Sequence, residues 1–318
     1  MSDSQSSPEE ATPGEVSPPE RVAPAADRMD LALLQAVKDT LFALPARFKS
    51  TLSIEGVLAT DLHTFNTSLS ASIEEQVVAA LNGLKGAWDP DDKYPTHQFI
   101  RSPQRFPDVT LRNMVRGSQS APLLGIELKG WYVLSKEGEP SGRYKVTPSA
   151  CAPQDLLVIV PWALGNAVSG TPRLFTPYVE SALYVAEYRN WWWQHKREAK
   201  TAKTGITSPP DTTPYPAQKS DKISDVPESD SGNNFGRVPR LGIMDQYKSE
   251  LMQETLSGIP LWAWLDFLRP FAGEAEEEDV RKGIARVAAK VKTELGAEDV
   301  SQEELTQAII GIVRAVQK

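Results

Sequence analysis

Asp108, Glu127 and Lys129 are the residues of this 318-residue chain whose types and spacing could do chemistry. They sit inside two short apolar runs, FPDVTL (106–111) and LLGIELKGW (123–131), with eighteen residues between Asp108 and Glu127. A β-strand alternates its faces with period two. Leu124, Ile126 and Leu128 therefore share one face, and Glu127 and Lys129 share the other. In the first run Asp108 and Thr110 oppose Val109 and Leu111. Two such strands side by side would hold an Asp, a Glu and a Lys in front of an apolar back.

That set is a divalent-metal hydrolysis site in outline. Two carboxylates about 4 Å apart repel by about 4 kcal/mol at an effective dielectric near 20, so a fold that pairs them calls for a cation. Hard oxygen donors select Mg²⁺, with Mn²⁺ able to substitute, and Mg²⁺ keeps waters beside its one or two carboxylates. The ion can order an attacking water and offset the charge growing on a phosphoryl group. Lys129 can orient that water or bind the phosphate. Neighbouring carboxylates favour its charged form, which argues against a role as general base.

The elements that must position these residues are legible around them. SIEEQVVAALNGL (72–84) has helical periodicity, with Ile73, Val77, Val78, Leu81 and Leu84 in one stripe at 100° per residue. Glu74 falls within that stripe and Glu75 points away. DLLVIVPWAL (155–164) is a continuous apolar run suited to a strand buried on both faces.

Pro-Asp, about twenty residues, then Glu-x-Lys resembles the PD-(D/E)XK nuclease superfamily, and within it the type II restriction endonucleases. The resemblance covers about residues 70 to 200 and implies an α/β fold. Its restriction-endonuclease-like core is a mixed central sheet flanked by helices, here with helical N- and C-terminal additions. It implies Asp108 and Glu127 as metal ligands, Lys129 as a catalytic residue, and Glu74 on the leading helix as a further acid that reaches the metal. It also implies double-stranded DNA as substrate, a homodimer cutting both strands, and a companion DNA methyltransferase in a prokaryotic genome. A nuclease of repair, recombination or modified-DNA type, or a non-catalytic DNA-binding module, would carry the same outline. One departure stands out. The family's helix after the third strand is replaced at Trp131–Ala152 by a segment containing Pro140, Gly142 and Pro148, which suits turns.

Composition agrees with that reading. The formal net charge is −8, yet residues 93–200 hold fourteen Lys or Arg against eight acids, so the basic excess sits on the expected core. A phosphate-binding surface needs local, not total, positive charge. Arg101, Arg105, Arg112, Arg116, Arg143, Lys145 and Arg173 are the candidate DNA contacts. The single cysteine, Cys151, excludes an intrachain disulfide and fits a reducing cytoplasm. No apolar run of transmembrane length and no signal-peptide pattern occurs, so no membrane is expected. His63, His97 and His195 lack zinc spacing, and no Walker loop, dinucleotide-binding glycine fingerprint or GxSxG elbow is present.

Four regions are expected: a disordered tail over 1–27, the nuclease core with its N-terminal helices over 28–200, a flexible linker over 201–239, and a helical region over 240–318 docking on the core or a second subunit. Asp27 is placed to cap a helix that stops before Pro45, and 53–69 reads as a further helical stretch. Residues 177–200 read as a helix whose Ser181, Tyr184, Tyr188 and Trp191 share a stripe. Trp191-Trp192-Trp193 spans too wide an arc for one buried face, which points to core packing with a subunit contact, or to DNA. MDQYKSELMQETLSGIPLWAWLDFLRPFA reads as a helix pair broken at Gly258-Ile259-Pro260. Two more helices follow from Gly273, the second opened by the Ser301–Glu304 capping box.

Overall fold

The structure is a computed structural model, and it describes residues 16–55 and 62–268, apart from short gaps at 28, 103–104, 118–119, 136–137, 141, 168, 198–204 and 217–222, together with a few positions between 282 and 289. The expected helices after Gly273, and the capping box with them, lie outside the described residues apart from those few.

The centre is a six-stranded mixed sheet. Strands β1 (His97–Arg101), β2 (Val109–Asn113) and β3 (Leu124–Tyr132) form an antiparallel meander, and β4 (Leu156–Leu164) pairs parallel to β3. On its other edge β4 pairs antiparallel with two strands in turn, β5 (Pro172–Leu174) through Trp162–Leu164 and β6 (Tyr178–Ser181) through Leu156–Ile159. Pro161 falls between the two pairings. It has no N–H to give a ladder, so the break comes where the sequence removes a donor. All nine residues of β4 are buried, as its unbroken apolar run requires.

Helices cover the sheet. Helix α1 (Leu31–Arg47) is capped by Asp30, whose carboxylate accepts the N–H groups of Ala32 and Leu33, rather than by Asp27, and it runs through Pro45 by two residues. Helix α2 (Leu62–Gly83) is one continuous element where two were expected, and it is followed by the short α3 (Lys85–Trp88). Its buried Ile73, Val77, Val78 and Leu81 are the stripe that its periodicity marks. It packs on β3 and β1, closely enough that a Cβ on Gly130 would lie 2.8 Å from the Ser70 Cβ. The 177–200 region divides differently from its expected single helix. Residues 178–181 pair as β6, Ser181 caps α4 (Ala182–Trp191), and a wide π turn follows over Trp192–Lys196.

The expected linker is built into the fold where it is described. Residues 223–237 knit onto 143–147 through the Arg143–Arg237 and Val146–Ser224 bridges and through Tyr144 N–H to Gly236 O at 2.8 Å and Asp225 N–H to Lys145 O at 2.7 Å. A buried ion pair between Arg189 of α4 and Asp225 fastens this strap, and Arg189 also donates to the carbonyls of Tyr144 and Val146. Residues 16–25, expected as part of a disordered tail, carry no regular secondary structure and contact β6 and α4. Arg21 binds Glu180 at 2.9 Å and stands 4.3 Å above the Tyr184 ring, and Trp191 donates its indole N–H to Val16 O.

Beyond the strap, α5 (Asp245–Leu251) and α6 (Leu261–Leu268) are joined by a small hairpin, Thr255–Leu256 with Ile259–Pro260, where the sequence suggested a plain helix break. α6 buries Leu261, Ala263, Trp264, Leu265 and Phe267 in the common core. No helix among the described residues is long and apolar enough to cross a membrane.

Candidate active site

The ladder between β2 and β3 ends at Val109–Ile126, which places Asp108 opposite Glu127 at the mouth of the pair. Period two then puts Asp108, Thr110 and Arg112 of β2 on the same face as Glu127 and Lys129 of β3. The three expected residues meet there. Lys129 Nζ donates to Glu127 Oε1 at 2.6 Å and to Asp108 Oδ2 at 3.3 Å, and the Asp108 N–H donates to Glu127 Oε2 at 3.3 Å. The Asp108 and Lys129 side chains keep 24% and 27% of their surface exposed and Glu127 keeps 10%, so a solute reaches the first two with Glu127 behind them.

Burial dominates the electrostatics. It pushes the Glu127 carboxyl up to about 7, helped by the Asp108 charge and opposed by the nearby Lys129. Burial works to lower the Lys129 ammonium, but Glu127 and Asp108 together outweigh it and raise it above its ordinary value. Lys129 is therefore an ammonium at neutral pH, a donor and point charge rather than a base.

This donor set could hold a hard divalent cation through two of its side chains. It offers two facing carboxylates, one buried enough to need a positive charge beside it, and the Lys129 ammonium is the stand-in cation between them. Among the described residues no group of three or more His, Cys, Asp or Glu side chains is placed to hold a metal.

Glu74 is on the sheet-facing side of α2, with Glu75 exposed, as helical phasing requires. Its carboxylate is occupied at the margin of the cluster. Oε1 accepts the Gly130 N–H at 3.1 Å and Oε2 pairs with Arg101 at 3.1 Å. Glu74 thus holds the strand next to Lys129, and it shares no hydrogen bond with Asp108 or Glu127 among those described.

The candidate DNA contacts divide by partner. Arg101 is taken by Glu74, Arg143 by Asn233 at 3.1 Å and Lys145 by Asp230 at 3.0 Å. Arg105, Arg112, Arg116 and Arg173 are exposed and show no carboxylate partner among the described residues. Arg112 donates to the Thr110 hydroxyl at 2.9 Å, which lays it along the face that carries Asp108. The tryptophan triplet turns mostly inward. Trp193 is buried against Phe235 and under the Arg197 guanidinium, while Trp191 is held by Val16 O. The wide π turn that follows Trp191 accommodates this divergence.

Sequence reasoning missed four residues that frame the cluster. An added Cβ on Gly125 would overlap Pro107 Cγ and lie 2.8 Å from Asp155 Oδ1, so only glycine lets the Pro107-Asp108 segment close on β3. A glycine inside a strand pattern is the available signal for such a close approach. Asp155 is fully buried, and its carboxylate accepts the N–H of Gly125 at 2.7 Å, the N–H of Ala152 at 2.8 Å and the hydroxyl of Tyr215 at 2.8 Å. Burial nevertheless lifts it to about 6. Gly142, in the turn-rich segment after β3, roofs the site: a Cβ added there would lie 3.4 Å from Lys129 Cδ. Tyr215, in a polar stretch, gave no signal. Cys151 is buried, with its thiol pushed up to about 12 by that burial, and lies 3.2 Å from the Tyr144 hydroxyl, so it is packing rather than a nucleophile. Compared with known proteins, the chain matches no family model, no curated protein and no solved structure.

Proposed function

We propose that this chain is a Mg²⁺-dependent, site-specific double-strand DNA endonuclease of the restriction type. One observation carries the reading: Asp108, Glu127 and Lys129, remote in sequence, share one hydrogen-bonded cluster on adjoining strands. Asp108 and Glu127 would hold the ion, which when bound supplies charge stabilisation to the phosphoryl group under attack. Lys129, kept cationic by both carboxylates, hydrogen-bonds the scissile phosphate and helps fix it in line. Glu74 and Arg101 hold β3 in register beside it. Arg105, Arg112 and Arg116 supply phosphate contacts that position the duplex.

Two copies related by a two-fold axis would cut both strands of a palindromic site. Such an enzyme works in a prokaryotic cytoplasm beside a methyltransferase that protects the host's own sites. Mn²⁺ should replace Mg²⁺.

The test is incubation of the full chain with unmethylated phage DNA and Mg²⁺. Discrete fragments are expected, abolished by chelation. Asp108→Ala and Glu127→Gln should each lower cleavage by about 10³-fold or more, because loss of metal charge stabilisation is worth several kcal/mol, while DNA binding persists. Cleavage that survives Asp108→Ala, or no cleavage by the unaltered chain, would overturn the proposal.

A further inference from the structure

The turn that leaves β2 carries an unusual tip. Met114 and Val115 are 50% and 53% exposed, and they are the only adjacent pair among the exposed large hydrophobic residues described. Turn tips ordinarily carry Gly, Asn, Asp or Ser. Nor is this tip slack where it leaves the strand: the Met114 N–H donates to Thr96 O at 2.9 Å and the Val115 N–H to Asn113 Oδ1 at 2.9 Å. Gly117, at φ +87°, then turns the chain back with open space around it. Exposed Arg112 and Arg116 flank the pair, and no acidic residue occurs between Asp108 and Glu127.

We propose that this turn is a wedge for duplex DNA, with Met114 and Val115 entering between base pairs and Arg112 and Arg116 on the phosphates beside them. The proposal rests on the nuclease reading above for its choice of duplex DNA. Apolar side chains that pry open a base step, flanked by arginine, are a known way to bend DNA from the minor groove. Exposed Arg112 and Arg116, in a stretch with no acidic residue between Asp108 and Glu127, suit a polyanion, and a duplex presents phosphates along its whole length. Met114 follows Asp108 by six residues of extended chain, about 20 Å, so the opened step lies within about six base pairs of the cut.

The full chain carrying Asp108→Ala is bound to phage DNA fragments and probed with permanganate, which oxidises unstacked thymines. Cleavage by the unaltered chain is measured in parallel. Reactive thymines within about six base pairs of the mapped cut are expected. They should disappear with Met114→Ser/Val115→Ser, whose two positions are exposed and so leave thermal unfolding unchanged. In the otherwise unaltered chain that double variant should cut about tenfold more slowly, and Arg116→Ala should reduce the salt slope of binding by about one. Cleavage without reactive thymines, or thymines unaffected by the double variant, overturns the wedge and leaves the nuclease reading standing. Reactive thymines that need Met114 and Val115, in a chain that cuts nothing, overturn the nuclease reading alone. A double variant that alters only sedimentation makes the tip a contact between copies and overturns the wedge. No DNA binding by any form overturns both.

Discussion

Gly125 decides how near the Pro107-Asp108 segment can come to β3, and so whether Asp108 can stand opposite Glu127. Any side chain there meets Pro107 on one side and the Asp155 carboxylate on the other. On the proposed nuclease activity, Gly125→Ala should therefore cost both stability and cleavage, with the mouth of the β2–β3 pair pushed apart. The expected signature is a loss of kcat of at least tenfold while the sheet still forms by circular dichroism; unchanged cleavage would show that Asp108 does not depend on this contact. Asp155 gives a second check, through pH. Its folded carboxyl at about 6 lies above the unfolded value of 3.8, so the fold favours the neutral form. The unfolded chain then binds fewer protons between those values, and stability falls as pH rises through them. The cost is absent below about 4 and complete above about 6, and it amounts to roughly 3 kcal/mol. Denaturant unfolding of the unaltered chain minus Asp155→Asn should show that slope between pH 4 and 6, and a flat difference would refute it. Asp108, Glu127 and Lys129 were legible because period-two alternation ties spacing to a face. Asp155 and Tyr215 were not, because their partnership joins residues sixty positions apart with no periodic pattern between them.

Among the elements, the strands were the readable part and the strap was not. β2, β3 and β4 announce themselves by alternation or by an unbroken apolar run, and α2 by its stripe. Residues 223–237 are polar and rich in turn-formers, and they stay on the core through isolated bridges, one buried charge pair and the buried Ile223 and Phe235, which leave no periodic trace. Arg189 is nevertheless a strong tie. Its guanidinium is completely buried, pairs with Asp225 and holds two carbonyls of the 144–146 segment, just past the Gly142 that roofs Lys129. Removing one partner leaves an uncompensated buried charge, which costs about 3–5 kcal/mol, whereas replacing both with apolar residues is often far milder. Arg189→Met and Asp225→Leu should each destabilise strongly in urea unfolding, and the double variant should be less destabilised than their sum. Strict additivity would mean that the pair is not what holds the strap. The boundaries of α4 were misplaced for a related reason. Residues 178–181 are drawn into pairing with β4, a tertiary demand that overrides local helical pattern.

For the molecule as a whole, charge distribution and the N-terminal arm matter more than composition. A net charge of −8 coexists with a basic excess over 93–200, the stretch that carries Asp108, Glu127 and Lys129. The arm was hidden from sequence reasoning because a Pro- and Ser-rich stretch with few large apolar residues cannot fold by itself. It lies in place only because α4 offers a ready surface: the Tyr184, Tyr188 and Trp191 rings run at centroid spacings of 5.7 and 5.2 Å, and Arg21 lies over the first while Val16 O takes the last indole N–H. This arrangement separates two truncations. Removing residues 1–15 leaves every one of those contacts, so the aromatic row stays covered. Removing 1–24 uncovers the aromatic row, breaks the Arg21–Glu180 pair and should red-shift tryptophan emission, lower the unfolding temperature by a few degrees and promote self-association at micromolar concentration. Glu180→Gln, which removes only the charge that Arg21 binds, should move emission the same way by a smaller amount. If the two truncations behave alike, the arm does not cover α4 in solution, and the aromatic row must find its partner elsewhere.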